Sequence, residues 1–257
     1  SRTAGGLFST GSDTVTGTTK TSQTINFPAQ TTSSRPYAIA PSNAFSVSPV
    51  ATASSGLTVT YAGSGACSGS GTNPTNLLTI VSIGTCTITA SQAGNGTYDA
   101  ATPVNRNVTI TATVPGAPTI DAAIPGVTTA QVGFTAPTNT GGTAILDYTA
   151  TCSPAGSGTN TFSPISVTGL SANTSYTCSV TARNAQGSSA PSGTVGFTTT
   201  AVPVFSSADS TTFTVNAAAT PFIVSSTGNP TPTLSLFSGS LPTGVTFVGG
   251  SGSGTLS

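Results

Sequence analysis

Four cysteines, Cys67, Cys86, Cys152 and Cys178, carry the most reactive side chains of this 257-residue chain, and they fall in two pairs along it. Neither pair has the Cys-x-x-Cys spacing of a zinc knuckle or a dithiol redox centre, and the chain has no His to complete a metal site. Two disulfides, one per module, are the simplest account, and they require an oxidising compartment. The alternative is four unpaired buried thiols in a reducing one. Closing loops of this length stabilises a small domain by about 3 kcal/mol in the chain-entropy picture, less any strain.

Proton transfer, nucleophilic attack and metal binding need groups that are scarce here. Glu and His are absent, and the five Asp (Asp13, Asp99, Asp121, Asp147 and Asp209) are scattered, the nearest two in sequence being Asp99 and Asp121. No Gly-x-Ser-x-Gly elbow, phosphate-cradling Gly-x-x-x-x-Gly-Lys-Ser/Thr loop or Asp-rich calcium loop occurs. Asp121 and Asp209 each stand near a module start, as turn formers do. The expectation is a chain that is not an enzyme, with no catalytic residue, no cofactor and no metal.

The cations Arg2, Lys20, Arg35, Arg106 and Arg183 balance the five Asp, so the net charge is zero. Such a chain has no field to attract nucleic acid or an anionic membrane surface. Its apolar runs fall well short of the roughly 18 residues that span a bilayer, which argues against membrane insertion. Thr, Ser, Asn, Gln and Gly hydrate the surface instead. Asn95, Asn107 and Asn173 open N-glycosylation triplets, of a kind that arises by chance in a Ser/Thr-rich chain. Tyr37, Tyr61 and Tyr98 are candidates for stacking on sugars, but Tyr61 lies on the apolar side of its segment and reads as core.

Every such side chain must be positioned by strands, because the apolar residues recur at alternate places. Ile25 and Phe27, then Leu57, Val59 and Tyr61, then Cys86, Ile88 and Ala90, then Val108 and Ile110 each mark one face. In "SYTCSVTAR" (175–183), Tyr176, Cys178, Val180 and Ala182 face one way, while Thr177, Ser179, Thr181 and Arg183 face the other. Turn signals rich in Gly, Asn and Pro separate the segments, and no stretch has a helical period. The fold class expected is all-β, built from tandem sandwiches. Proline-bearing connectors at "TATVPGAPTI" (111–120) and "FTTTAVPVFSS" (197–207) divide the chain. The divisions are 1–20, a tail or the end of a preceding unit, then modules over 21–113, 114–200 and 201–257, laid end to end.

Three resemblances refine this. "GLSANTSYTCSVTARNAQGSSAPS" (169–192) and "AQVGFTAPTNTGGTAILDYTATC" (130–152) resemble fibronectin type III, with Phe134 where a Trp is usual and Tyr148 in place. The resemblance implies a tyrosine corner formed by Leu170 and Tyr176, with Thr174 also in position, and Ala172 in place of a Pro implies a looser corner. It also implies that Cys152 and Cys178 lie on antiparallel neighbours of one sheet. "SQTINF" (22–27), "SSGLTVTYAG" (54–63) and "GTCTITASQAGNGTYDAA" (84–101) make the first module similar to bacterial immunoglobulin-like repeats, in which Cys67 and Cys86 occupy positions that pair. "TPFIVSSTGNPTPTLSLFSGSLPTGVTF" (220–247) resembles the immunoglobulin or cadherin-like repeats of bacterial surface proteins. That match lacks its last strands, which predicts open edges at Phe222, Val224, Leu234, Leu236, Val245 and Phe247.

These readings together predict a secreted or surface-displayed, non-catalytic structural or adhesive protein: a stalk, an adhesin segment or a fibre subunit. Its partners would be neighbouring modules of the same or identical chains, joined by strand addition, with residues 1–20 one candidate donor and surface glycans a second class of partner. An accessory region of a secreted polysaccharide-degrading enzyme and a carbohydrate-binding module are the alternatives.

Overall fold

Period-two alternation of Val, Ile, Thr, Tyr and Phe favours extended backbone, since a pleated strand buries one face and wets the other. The computed structural model describes residues 19–73, 75–214, 220–236 and 239–257, and every regular element among them is a strand. The chain divides into two compact units, Ser1–Thr111 and Ala112–Ser257. The first eighteen residues, with most of the expected tail and strand donor, lie outside the described set.

The first unit holds β1 (Ile25–Asn26), β2 (Ser34–Pro36), β3 (Ala44–Ser46), β4 (Thr52–Ala53) and β5 (Thr60–Gly65). It continues with β6 (Cys67–Ser68), β7 (Ser70–Thr72), β8 (Leu77–Ile80), β9 (Gly84–Ser91) and β10 (Val104–Thr111). Five strands form one sheet in the order β2-β10-β9-β5-β7, three form another in the order β3-β8-β6, and β1 pairs with β4. One buried cluster draws on both larger sheets: Tyr61, Cys86, Ile88, Val108 and Ile110 from the first, Phe45, Cys67, Leu78 and Ile80 from the second. Fully burying each large aliphatic of this kind contributes about 1.5–3 kcal/mol. The strand expected to begin at Leu57 begins instead at Thr60, with Leu57 only half-buried ahead of it.

The second unit opens with β11 (Thr119–Pro125), β12 (Ala130–Thr135), β13 (Asp147–Ser153), β14 (Ser157–Asn160) and β15 (Ile165–Val167). After these come β16 (Ser175–Asn184), β17 (Gly187–Ser188) and β18 (Val195–Thr198). One sheet runs β11-β12-β15; in the other, β16 lies between β13 and β18, with β14 on the outer side of β13. Their inner faces share a second buried cluster containing Val132, Phe134, Tyr148, Ile165, Val167, Tyr176 and Val180. The alternation read from 176–183 is the one observed, and it extends one step further to buried Asn184.

The remaining strands, β19 (Ala201–Phe205), β20 (Phe222–Asn229), β21 (Phe247–Gly249) and β22 (Ser253–Leu256), form a sheet in the order β19-β20-β22-β21. No closed cluster of buried apolar residues accompanies it among the described residues, and it falls in the same compact unit as the preceding sandwich. Its apolar residues are distributed differently from the sequence expectation. Phe222, Val224, Leu234, Val245 and Phe247 are half-buried, whereas Val202, Val204, Phe205, Ile223 and Val248 are largely exposed, as is Leu236. Phe222 and Val224 lie on the face of β20 that lines a groove with residues 207–214, and Ile223 lies on the opposite face.

Candidate functional site

Both cysteine pairs are bonded, in different ways. Cys67 lies on β6 of the three-stranded sheet and Cys86 on β9 of the five-stranded one, so the bond between them ties sheet to sheet, with Cα atoms 5.0 Å apart. Cys152 on β13 stands directly opposite Cys178 on β16, and this bond, with Cα atoms 4.0 Å apart, ties two strands already joined in register from Asp147–Arg183 to Ser153–Thr177. All four sulfurs belong to buried residues, and none of the cysteines is free.

Two tyrosines tie loops to cores. The Ser171 amide donates to the Tyr176 hydroxyl at 2.8 Å, Leu170 beside it is buried, and the Tyr176 ring stacks on Phe197 with centroids 6.0 Å apart. This is the arrangement of a tyrosine corner. Phe134 packs against Tyr148 with centroids 4.4 Å apart, both within the same buried cluster. In the first unit Tyr61 does similar work: it is 1% exposed, and its hydroxyl accepts from the Ala51 amide at 2.7 Å. Burial pushes the phenols of Tyr61 and Tyr148 upward from their ordinary value, and the Ala51 bond partly offsets this at Tyr61.

Sequence reasoning missed the buried amides and hydroxyls that finish the second sandwich. Asn184, at the end of β16, donates from Nδ2 to the carbonyls of Thr113 (2.8 Å) and Thr140 (2.9 Å), and its Oδ1 accepts from the Gln186 amide. Gly141 stands against it with a positive φ of 75° that favours glycine, and an added Cβ would strike the Thr113 carbonyl. Thr199, wholly buried, donates to the Ser171 carbonyl and accepts from the Thr174 amide at 2.9 Å. The only signal for Asn184 was the Asn-x-x-Gly turn, which reports a change of direction but not which carbonyls the amide will reach.

Arg183, Asp147, Asp121, Arg35 and Arg106 make structural contacts. Arg183 pairs with Asp147 through two nitrogens on the outer face of β13–β16, and that carboxylate raises the guanidinium's pKa. Asp121 accepts from the Thr135 hydroxyl. Arg35 and Arg106 face inward and lay their guanidiniums over Phe45 (4.7 Å) and Phe27 (5.8 Å). Among the described residues no group of three or more His, Cys, Asp or Glu could hold a metal, and no helix is long and apolar enough to cross a membrane. An open groove of about 1010 Å³ lies on the last sheet. Phe205, Phe213, Phe222, Val224 and Leu256 line it, and Asp209 is its one charged group among the described residues.

A three-stranded sheet facing a five-stranded one, closed by a tyrosine corner, defines an immunoglobulin-like β-sandwich of the fibronectin class. Residues 114–198 match the family model of the fibronectin type III domain. The chain is similar to the fibronectin type-III domain of human fibronectin type III domain containing protein 3, at 25% identity and a TM-score of 0.29, over 35% of this chain and 89% of that one. It is also similar to domains A168–A170 of titin, at 18% identity and a TM-score of 0.34, over 69% of this chain and 66% of that one. For the FN1–FN3 domains of chicken CNTN1 the values are 15% and 0.31, over 55% of each chain. No curated protein matches the sequence.

Proposed function

We propose that this chain is a non-catalytic, extracellular structural or adhesive protein of bacterial surface type, acting as a stalk, an adhesin segment or a fibre subunit. The observation that carries the reading is that each unit is closed by a buried disulfide, the mark of a small domain matured where thiols oxidise. Nearly all its hydrogen-bonding surface is uncharged, which suits a spacer that must keep its form as pH and salt vary. The bacterial assignment rests on the likeness of the first and last modules to repeats of bacterial surface proteins. The open groove and the exposed apolar residues of β19 support association with neighbouring modules of the same or identical chains by strand addition.

Material purified from its source without reductant is the test, examined by electron microscopy and by thiol alkylation under denaturing conditions. Rods or fibres and unreactive cysteines are expected. Globular particles would overturn the structural role, and four alkylatable thiols would overturn the extracellular one.

A further inference from the structure

Half of β10 has an open edge. Its inward side chains are Val104, Arg106, Val108 and Ile110, and its backbone groups alternate between the two neighbouring strands. Thr109 donates its amide to the Ser33 carbonyl and Thr111 accepts from the Tyr37 amide, so the odd-numbered residues aim N–H and C=O at the β2 side and the even-numbered ones at β9. β2 covers only Thr109–Thr111. Asn105 and Asn107 therefore aim their amides and carbonyls past its end. Among the described residues the one bond made there runs from the Arg106 guanidinium to the Asn105 carbonyl, at 3.1 Å. The stretch that would continue β2 along this edge is drawn away: Thr31 donates to the Ser48 carbonyl, and the Gln30 side chain accepts from the Ser48 amide and donates to the Pro49 carbonyl.

The longer terminal strands of the other sheets differ. β11 is broken by a register shift between Ile120 and Ala123 and ends at Pro125, and β19 contains Pro203 and a shift of its own. β14 meets the chain just past β15 through the Ser157–Thr168 bridge. β18 is open, but its residues Val195–Thr198 carry no charge. The β10 edge has Arg106 beside it, with the guanidinium turned inward 5.8 Å from the centre of the Phe27 ring. Its Nε is buried without a hydrogen-bond partner, and no carboxylate stands against it among the described residues. A buried N–H left unpaired is costly, and on a cation it calls for an anionic acceptor.

We propose that the Val104–Asn107 edge of β10 binds an extended, acidic peptide segment of a partner protein, paired antiparallel as an added strand. A peptide is the occupant because the free groups are backbone donors and acceptors on alternate residues, about 6.7 Å apart, which another strand matches in register. Antiparallel pairing lets two of its residues exchange both bonds with Asn105 and Asn107. The residue between them then lies opposite Arg106 at a non-hydrogen-bonded site, where side chains approach most closely. It faces inward beside the unspent guanidinium nitrogens, so a carboxylate suits it. The next inward residue lies opposite half-buried Val104 and suits an apolar side chain. Ser33 already holds the Thr109 amide, so the occupant reaches no further than Asn107. Inward charges also serve to keep strands from pairing, and the two roles give opposite results in the test. The site is additional to the structural role above and does not depend on it.

The test is a titration of the whole, isotopically labelled chain with the blocked peptide acetyl-Thr-Glu-Thr-Val-Thr-amide, whose Glu falls opposite Arg106 and whose Val falls opposite Val104. The backbone amide resonances of Asn105 and Asn107 are the readout, and millimolar peptide should shift both. Replacing the peptide's Glu with Gln should weaken binding about fivefold, the upper end for a cross-strand charge pair, and Lys should weaken it further. N-methylation of the peptide residue that faces Asn105 deletes a backbone bond without touching the carboxylate and should abolish binding. In the protein, Arg106→Gln should erase the preference for Glu over Gln. Should that variant misfold, the peptide series on the unaltered chain decides alone. No shift at Asn105 and Asn107, equal binding of the Glu and Lys peptides, or undiminished binding after N-methylation each overturn the proposal. So does an Arg106→Gln chain that associates with itself while the unaltered chain ignores the Glu peptide, because the arginine then guards the edge.

Discussion

Tyr61 and Tyr176 end in hydroxyls that each hold one backbone amide, and the surroundings of that amide decide what each bond contributes. Ala51 is buried, so Tyr61→Phe strands its N–H away from water at a cost of about 1–3 kcal/mol. Ser171 is exposed, and water replaces part of the bond lost in Tyr176→Phe, so that cost should be about 1 kcal/mol. Denaturant titration of the full chain should show the first unit's midpoint falling further in Tyr61→Phe than the second unit's in Tyr176→Phe, with unchanged slopes. The phenols of Tyr61 and Tyr148 bear on the alkaline limit. Folded pKa values raised by burial at Tyr61 and Tyr148 mean that the neutral form is favoured in the folded state. This stabilisation is fully present below the unfolded value of about 10 and is lost as pH rises through the folded values. Melting temperature should therefore hold steady through neutral pH and fall above about pH 10, and Tyr61→Phe should soften that fall.

Among the elements, the two disulfides close loops of similar length, 19 and 26 residues, and the chain-entropy picture assigns each about 3 kcal/mol. Their structural contexts separate them. Removing the Cys152–Cys178 bond leaves β13 and β16 paired along their length, with Tyr148 opposite Ala182 and Ala150 opposite Val180. Removing the Cys67–Cys86 bond frees β6, only two residues long and held to β8 by two paired positions. In Cys67→Ala/Cys86→Ala, native-state hydrogen exchange should show protection lost around β6 and β8 before the unit unfolds globally. In Cys152→Ala/Cys178→Ala, protection of β13 and β16 should fall only together with global stability. Protection lost equally in both would mean that the inter-sheet bond has no special local role.

For the molecule as a whole, scarcity of charge is the governing fact. Five cations and five anions leave zero net charge, and Arg183–Asp147 is the one salt bridge among the described residues, on an exposed face where such pairs contribute at most about 1 kcal/mol. Raising sodium chloride from roughly 0.1 to 1 M shortens the screening length from about 10 to 3 Å with little for it to act on. Thermal melts across that range should shift by no more than a few degrees. A larger shift would place stabilising electrostatics in residues other than those described.

Alternation of apolar residues is a local property, so the sequence by itself determined that the chain is all-β, which face turns inward in the strands around 86–90, 108–110 and 176–182, and that Cys86, Cys178, Tyr61 and Tyr176 stand on the inner faces. The tyrosine corner was implied by the resemblance to fibronectin type III, whose pattern Leu170 and Tyr176 match just before and at the start of β16. Tertiary structure alone decided what depends on residues distant in sequence. It set which sheet Cys67 joins, and it brought Asn184 to the carbonyls of Thr113 and Thr140. It also turned Arg35 and Arg106 inward onto Phe45 and Phe27, and left the threonines of β9 level with the asparagines of β10. Such pairings are set by strand register and sheet packing, and these follow from the burial of whole faces, which no single stretch of chain encodes.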